Sequence, residues 1–189
     1  MNSSVIHIKN MVCTRCLQAL DRVFRAANLP PEELELGRVV LPRAPTAAEE
    51  TELRSALSDL GFAWLDDPDD QLISAMKTLV VQYVHGEGAP PLRNWSAVIA
   101  ETLHHDYSYL SRLFSQQESM TVEQFIQQQR IERVKELLSY GELTIAQIAD
   151  RTGYGSAAYL SRQFRKVTGA SPSAWQRERS DDRQSLDTL

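Results

Sequence analysis

The C-terminal half of the sequence contains an internal repeat, which limits what this half of the chain can fold into. The segment YLSRLF at 109–114 recurs fifty residues later as YLSRQF at 159–164, and the same offset pairs Phe125 with Trp175. Similarity at a fixed period arises when one supersecondary unit occurs more than once. We therefore predict two copies of one unit in this half of the chain.

Each copy has the pattern of a helix, a tight turn and a second helix. In the first copy, WSAVIAETLHH (95–105) precedes YSYLSRLFSQQ (107–117), and Asp106 between them is a helix-capping residue type. In the second copy, Thr144 opens the helix TIAQIADRT, and Ser156 caps the helix AAYLSRQFRKVT. Both copies therefore predict an all-α helix-turn-helix unit.

A helix-turn-helix unit places its second helix in the major groove of DNA. These recognition helices are expected at about 107–116 and 157–167. In each, a leucine and a phenylalanine four residues apart face the core, so the Ser-Arg pair of YLSR points outward. Arginine matches the O6 and N7 atoms of guanine. The residues predicted near the groove are Ser111 and Arg112 in the first helix, and Ser161 and Arg162 in the second.

The net charge of −5 is unfavourable for binding a partner as acidic as DNA, but the charge is unevenly distributed. Residues 151–179 contain six Lys and Arg against one Glu, which gives 6 − 1 = +5. Arg165 and Lys166 in this segment are placed to contact phosphates. A charged helix surface is usually only solvated, so the motif by itself leaves the question open. Its duplication in two matching frames favours double-stranded DNA as the partner.

Residues 95–179 resemble the DNA-binding region of the AraC/XylS family of bacterial transcription regulators. The resemblance rests mainly on IAQIADRTGYGSAAYLSRQFRKVTGASPSAWQRER (145–179), with its I-A, G-Y, Y-L-S-R-x-F and G-x-S-P landmarks. The first unit departs from the family at Ser119, where glycine is frequent, and at His105, which is usually apolar. The resemblance implies two units on a rigid linker helix, here 121–140, that read successive major grooves.

Carried over by position, the resemblance implies base-facing residues in both units. The predicted DNA-binding set, which includes the cap Ser156 and the phosphate contacts, is Ser108, Ser111, Arg112, Ser156, Ala158, Ser161, Arg162, Arg165 and Lys166.

Two adjacent histidines, His104 and His105, lie at the turn of the first unit. They could bind a metal, but no thiol or carboxylate cluster lies at ligand spacing from them. Turn and capping roles are therefore favoured.

The N-terminal part alternates strand and helix patterns and is predicted to be α+β. Thr46 with Glu49 makes a capping box for the second helix. The order β-α-β(β)-α-β fits a ferredoxin-like split βαβ sandwich. The predicted elements are a strand at 5–8, a helix at 14–27, one bent strand or a compressed hairpin around Gly37 at 33–41, a helix from 46 to 60 and a strand at 62–65.

The only two cysteines, Cys13 and Cys16, are three residues apart at the start of the first predicted helix. Two thiols there converge on one point, and the helix dipole lowers their pKa. Thiolate pairs select soft ions such as Cu(I), whereas zinc prefers four ligands and would need His7, a second chain or water. A redox pair and thiols without a ligand role are the alternatives, although the sequence context of a thioredoxin-like site is missing.

Residues 4–66 resemble the heavy-metal-associated domains of copper chaperones and transport ATPases. Met11, Cys13 and Cys16 carry this resemblance, together with LSDLGFAWL at 57–65. Asn10 replaces the glycine that usually precedes the methionine. The resemblance implies a ferredoxin-like domain that binds Cu(I) or another soft metal ion, such as Zn or Cd.

A wide apolar face marks a predicted helix at 69–85, which either packs on its own domain or pairs two chains as a homodimer. The prolines and glycines of 85–92 indicate a linker. No long apolar run or signal-like start is visible, so we expect a cytoplasmic protein without a membrane segment. The predicted domains are 1–67, 68–92 as connecting or dimerisation segment, 93–179, and a disordered tail at 180–189.

These patterns together predict a DNA-binding transcription regulator controlled by a soft metal ion at Cys13 and Cys16. The N-terminal domain could instead dimerise, bind a partner or sense redox state, and a metal-trafficking protein is the rival from another class. No catalytic constellation is visible, so we do not expect an enzyme.

Overall fold

The computed structural model describes residues 3–86 and 94–178. The chain divides into two compact units, residues 1–78 and 79–189, so the division falls within the predicted connecting segment 68–92. Most of the predicted linker, the end of the predicted DNA-binding domain and the predicted tail lie outside the described residues.

The first unit contains a four-stranded sheet and two helices that follow the predicted order. The strands lie in the order β2-β3-β1-β4, and each neighbouring pair is antiparallel. Consequently β3 lies between β1 and β2, and β1 lies between β3 and β4. The elements are β1 (Ser4–Lys9), α1 (Thr14–Ala26), β2 (Glu33–Glu35), β3 (Arg38–Leu41), α2 (Ala47–Asp59) and β4 (Ala63–Leu65).

Alternation along the strands directs one set of side chains into the core. In β1, Ile6 and Ile8 are buried, whereas Val5, which precedes Ile6, is 48% exposed. They pack with apolar residues of both helices, among them Phe24 and Leu57. The predicted capping box of α2 is confirmed, because the Thr46 side chain accepts from the Glu49 backbone and Glu49 bonds back to Thr46.

The segment 33–41 is a hairpin, which decides between the two predicted alternatives. Gly37 provides the turn with φ of +85°, a left-handed conformation that glycine adopts without strain. Val39 in β3 pairs with both Leu34 and Ile6, so the short β2 forms an edge of the sheet.

The predicted helix at 69–85 is confirmed as α3 (Pro68–His85). Most of its apolar residues, including Ile73, Met76, Val80 and Val84, are buried within the single chain. This apolar face is therefore largely covered without a second chain, and dimerisation through it stays a prediction.

The second unit is helical and contains the two predicted helix-turn-helix units. The predicted caps Asp106, Thr144 and Ser156 all accept hydrogen bonds from the first turn of their helices. After the last turn of α3, the helices are α4 (Trp95–Leu103), α5 (Tyr107–Glu118), α6 (Val122–Tyr140), α7 (Ile145–Arg151), α8 (Ala157–Thr168) and α9 (Pro172–Glu178).

The repeat in the sequence is also a repeat in the packing. The Phe114 and Phe125 rings lie 5.6 Å apart in the first copy. At the equivalent positions of the second copy, the Phe164 and Trp175 rings lie 6.2 Å apart. Each copy therefore closes its core with an aromatic pair between its recognition helix and the helix that follows. In the part of the chain described here, no helix is long and apolar enough to cross a membrane.

Candidate nucleic-acid interface and thiol pair

Burial of one face of each recognition helix determines which side chains point outward. Leu110 and Phe114 of α5 and Leu160 and Phe164 of α8 are at most 1% exposed, as predicted from their spacing. Arg112 and Arg162, which lie on the opposite faces of these helices, are exposed. Both arginines are thus available to a partner.

Cations concentrate on the outer face of α8. Arg162, Arg165 and Lys166 are exposed, and so is Ala158, which lies one turn before Arg162. The equivalents of Arg165 and Lys166 in α5 are Ser115 and Gln116, so the first recognition helix carries only Arg112. The two helices therefore offer very different electrostatic attraction to a phosphate backbone.

The predicted serines differ from the arginines in their surroundings. Ser111 and Ser161 are half-buried, and their hydroxyls donate to carbonyl oxygens of their own helices, at 3.3 Å to Ser108 and 2.8 Å to Ala157. A direct base contact from either serine would use its remaining acceptor capacity or break this bond. Base contact by these serines stays a prediction.

The other two predicted serines act at the helix starts. Ser108 is exposed, and its hydroxyl donates to the Asp106 carboxylate that caps α5. Ser156 caps α8 and accepts from the backbone N–H of Tyr159 at 3.1 Å.

Tyr159 belongs to this surface, although the sequence patterns did not indicate it. Its ring is 42% exposed, and the Arg162 guanidinium carbon lies 5.2 Å from the ring centroid. The centroid of the Tyr154 ring lies 5.9 Å from that of Tyr159. An aromatic ring beneath an arginine restricts the guanidinium and contributes a cation–π attraction. The i, i+3 spacing of Tyr159 and Arg162 was the available signal.

The start of α1 brings the two thiols together. Cys13 is the N-terminal cap residue of α1, and its Sγ lies 3.6 Å from the Sγ of Cys16. Burial opposes ionisation, but hydrogen bonds from the backbone and side chain of Cys16 outweigh it and lower the pKa of the Cys13 thiol. Both cysteines are free and partly exposed. The arrangement favours a thiolate at the protein surface.

The residues next to the thiols have mainly structural roles. Met11 is 1% exposed, and its sulfur accepts from the Gly37 backbone N–H at 3.2 Å. Asn10 adopts φ of 72°, and its side-chain amide donates to the Gly61 carbonyl at 2.9 Å. Asparagine here takes the left-handed conformation for which glycine is usually needed. In residues 3–86 and 94–178, no group of three or more His, Cys, Asp and Glu side chains could hold a metal ion.

The predicted turn role of the histidine pair is supported for His104. This residue ends α4 in the left-handed conformation, with φ of 55°. The neighbouring His105 ring lies 6.0 Å from the Tyr109 ring.

The second unit contains a segment that matches a known protein family. The family described as "Helix-turn-helix domain" matches residues 99–178. The "Arabinose operon regulatory protein" of Escherichia coli (strain K12) is 40% identical over 77 residues, which are 41% of this chain and 26% of that protein. Residues 99–178 form a helix-turn-helix domain, which is called the AraC-type domain below after its resemblance to the AraC/XylS family.

Two further known proteins are similar to this chain. The "HTH-type transcriptional activator RhaR" of Cronobacter sakazakii is 38% identical over 69 residues, 36% of this chain and 24% of that protein. The solved "C-terminal domain of AraT, a response regulator from Geobacillus stearothermophilus" has a TM-score of 0.52 and 27% identity, covering 63% of this chain and 92% of that one. The chain thus spans about a quarter of the length of these curated relatives.

All nine predicted DNA-binding residues lie within the AraC-type domain, whereas Cys13 and Cys16 lie outside the matched residues. The family match therefore covers the predicted nucleic-acid interface and not the thiol pair.

Proposed function

We propose that this protein is a cytoplasmic, non-enzymatic transcription regulator that binds specific double-stranded DNA sequences through its AraC-type domain. The observation that carries the proposal is the pair of helix-turn-helix units, each presenting an exposed arginine at the same position of its recognition helix. The relatives named above are described as regulators or activators of transcription.

In this mechanism α5 and α8 enter major grooves on one side of the DNA. Arg112 and Arg162 donate to guanine O6 and N7, while Arg165 and Lys166 contact phosphates and set the register. Because α8 carries three cations and α5 carries one, the second unit supplies more of the affinity and of its dependence on salt.

The proposal is tested by selecting a binding site from random DNA and comparing Arg162→Ala with Lys166→Ala on it. Arg162→Ala should cost about 1–3 kcal/mol on the selected site, or about 5- to 150-fold, and relax the preference at one base pair. Lys166→Ala should weaken binding about equally on all sequences. Failure to enrich any sequence with the wild-type protein would refute specific recognition. Equal losses of Arg162→Ala on all DNA would make Arg162 a phosphate contact.

A second proposal concerns control by a soft metal ion. We propose that Cu(I), or Zn or Cd with additional ligands, binds Cys13 and Cys16. The short distance between the two sulfurs and the lowered pKa of Cys13 support it, because thiolates are the ligand form of cysteine. The strand order β2-β3-β1-β4 supports a ferredoxin-like fold for this domain. The ion would alter DNA affinity only if it prefers one state of the protein.

Metal control is tested with a Cys13→Ser/Cys16→Ser variant. DNA affinity is measured with and without Cu(I), Zn(II) and Cd(II), in parallel with metal-binding titrations under reducing conditions. The wild-type protein should bind one ion and change its DNA affinity, and the variant should do neither. Identical DNA binding by both proteins under all metals would refute metal control. An effect of oxidants alone would favour redox sensing.

The homodimer and the metal-trafficking alternative need separate measurements. Sedimentation of the full chain at several concentrations tests dimerisation, and transfer of Cu(I) to an acceptor protein without any DNA binding would favour trafficking.

A further inference from the structure

Arg130 occupies a central position between the two helix-turn-helix units. It lies on α6, and its guanidinium carbon is 6.0 Å from the ring centroid of Trp95 on α4. On another side, the same carbon is 5.9 Å from the ring centroid of Tyr154, which precedes α8. One cation is therefore in contact range of aromatic rings from both units.

This cation is desolvated without a matching anion. Arg130 is half-buried, and its Nε atom is buried without a hydrogen-bond partner. Among the residues that the structure describes, no carboxylate pairs with it. Burial lowers the pKa of the guanidinium. Removing a charge from water without pairing costs free energy, and the aromatic rings offset only part of this cost.

The guanidinium borders a cavity of about 460 Å³ that lies between the start of α4 and α6. Polar side chains of Asn94, Ser96 and Gln127 also line it, together with Trp95 and Arg130. The volume is that of a small-molecule site.

One carboxylate also lines this cavity, but it already has a donor. Glu123 is exposed and accepts from the Tyr107 hydroxyl at 2.8 Å. It lies seven residues before Arg130 on α6, or about 10 Å along the helix axis at 1.5 Å per residue. Its charge is therefore distant from the guanidinium and screened by solvent.

We propose that this cavity binds a phosphate group, with Arg130 as its cationic anchor. The guanidinium fork matches a phosphate, and such charge-assisted bonds are strong where water is partly excluded. The phosphate comes either from a free small molecule or from the DNA backbone. The inference concerns binding in the cavity and does not depend on base recognition by α5 and α8.

The first experiment uses the full chain and inorganic phosphate at constant ionic strength. Phosphate should raise the thermal unfolding midpoint of the wild-type protein, because a ligand that binds only the folded state stabilises it. Arg130→Gln should bind phosphate at least about tenfold more weakly, the loss expected for one charge-assisted contact. Arg22→Gln, which removes an exposed arginine from α1, is the matched control and should behave as wild type.

A milder variant keeps the test decisive if Arg130→Gln does not fold. Arg130→Lys retains the charge but loses the planar fork, so it should weaken phosphate binding several-fold. Circular dichroism checks that the variant is folded. Undiminished phosphate binding in a folded variant at this position would overturn the proposal.

The second experiment identifies the source of the phosphate. Dissociation constants for DNA are measured against salt concentration for wild type, Arg130→Gln and Arg22→Gln. If the DNA backbone is the source, Arg130→Gln alone should reduce the salt slope by about one. An unchanged slope with phosphate-dependent stabilisation assigns the site to a free ligand. If neither the stabilisation nor the change in slope is observed, the proposal is overturned. If the protein binds no DNA, the phosphate titration decides by itself.

Discussion

The ends of the two recognition helices allow a reciprocal test of backbone conformation. Ser119 ends α5 with φ of 55°, and Gly169, its equivalent fifty residues later, ends α8 with φ of 82°. Both conformations are left-handed, but only one residue is glycine. We expect Ser119→Gly to stabilise the protein and Gly169→Ser to destabilise it.

The magnitude follows from the surroundings of the two positions. A Cβ atom added at Gly169 would meet no other atom within 4 Å, so its only cost is backbone strain. Ser119 is exposed and makes no side-chain hydrogen bond to the described residues, so its replacement loses no contact. The left-handed conformation costs an L-residue about 1–2 kcal/mol, and the greater backbone freedom of glycine offsets about 0.5–1 kcal/mol. Each substitution should therefore change the free energy of unfolding by about 0.5–1 kcal/mol, with opposite signs.

Urea unfolding of the full chain, followed by circular dichroism, measures both changes. With an m-value of about 2 kcal/mol/M, the midpoint should rise by about 0.3–0.5 M for Ser119→Gly and fall by the same amount for Gly169→Ser. The comparison requires equal m-values in the three proteins. A lower midpoint for Ser119→Gly, or no change in either variant, would refute the reasoning.

Three further predictions concern the recognition surface and the response to pH. Tyr159→Ala removes the ring beneath Arg162 and should weaken specific DNA binding about two- to fivefold. Tyr159→Phe retains the ring and should bind like wild type. Equal binding by the two variants would contradict a positioning role. Hydrogen bonding from Arg43 lowers the pKa of Glu49 from 4.5 to about 2, so its stabilising contribution, present above pH 4.5, is lost as the pH falls towards 2. Urea midpoints of Glu49→Gln should consequently decline less in this range. Burial lowers the pKa of His85 below 6.5, so the unfolded chain is protonated first and stability falls below pH 6.5. The decline between about pH 6.5 and 5 should be smaller in His85→Asn, and an unchanged slope would contradict it.

The two recognition helices have one framework but different outer surfaces. Both keep the buried leucine and phenylalanine, the cap at the start and the left-handed end. They differ where the partner would lie, because Arg165 and Lys166 correspond to Ser115 and Gln116. Under the proposed function, a common core with different outer surfaces would let the two helices contact different DNA segments.

Local patterns determined the elements of this protein and much of their arrangement. The repeat predicted both helix-turn-helix units, and the spacing of Leu160 and Phe164 predicted the buried face of α8, because helical periodicity depends only on neighbours within two turns. The caps Asp106, Thr144 and Ser156 were predictable for the same reason. The sequence also predicted the order of strands and helices in the first unit.

Tertiary structure decided what depends on residues far apart in the chain. It folded 33–41 into a hairpin, because β3 pairs with both β2 and β1. It placed Trp95 and Tyr154 against Arg130, an arrangement without any signature in local spacing. The Ser161 hydroxyl donates to a backbone carbonyl one turn earlier in its own helix. Periodicity specifies which face of a helix is buried, but only the packing of distant segments determines which charges lose water and which remain available to a partner.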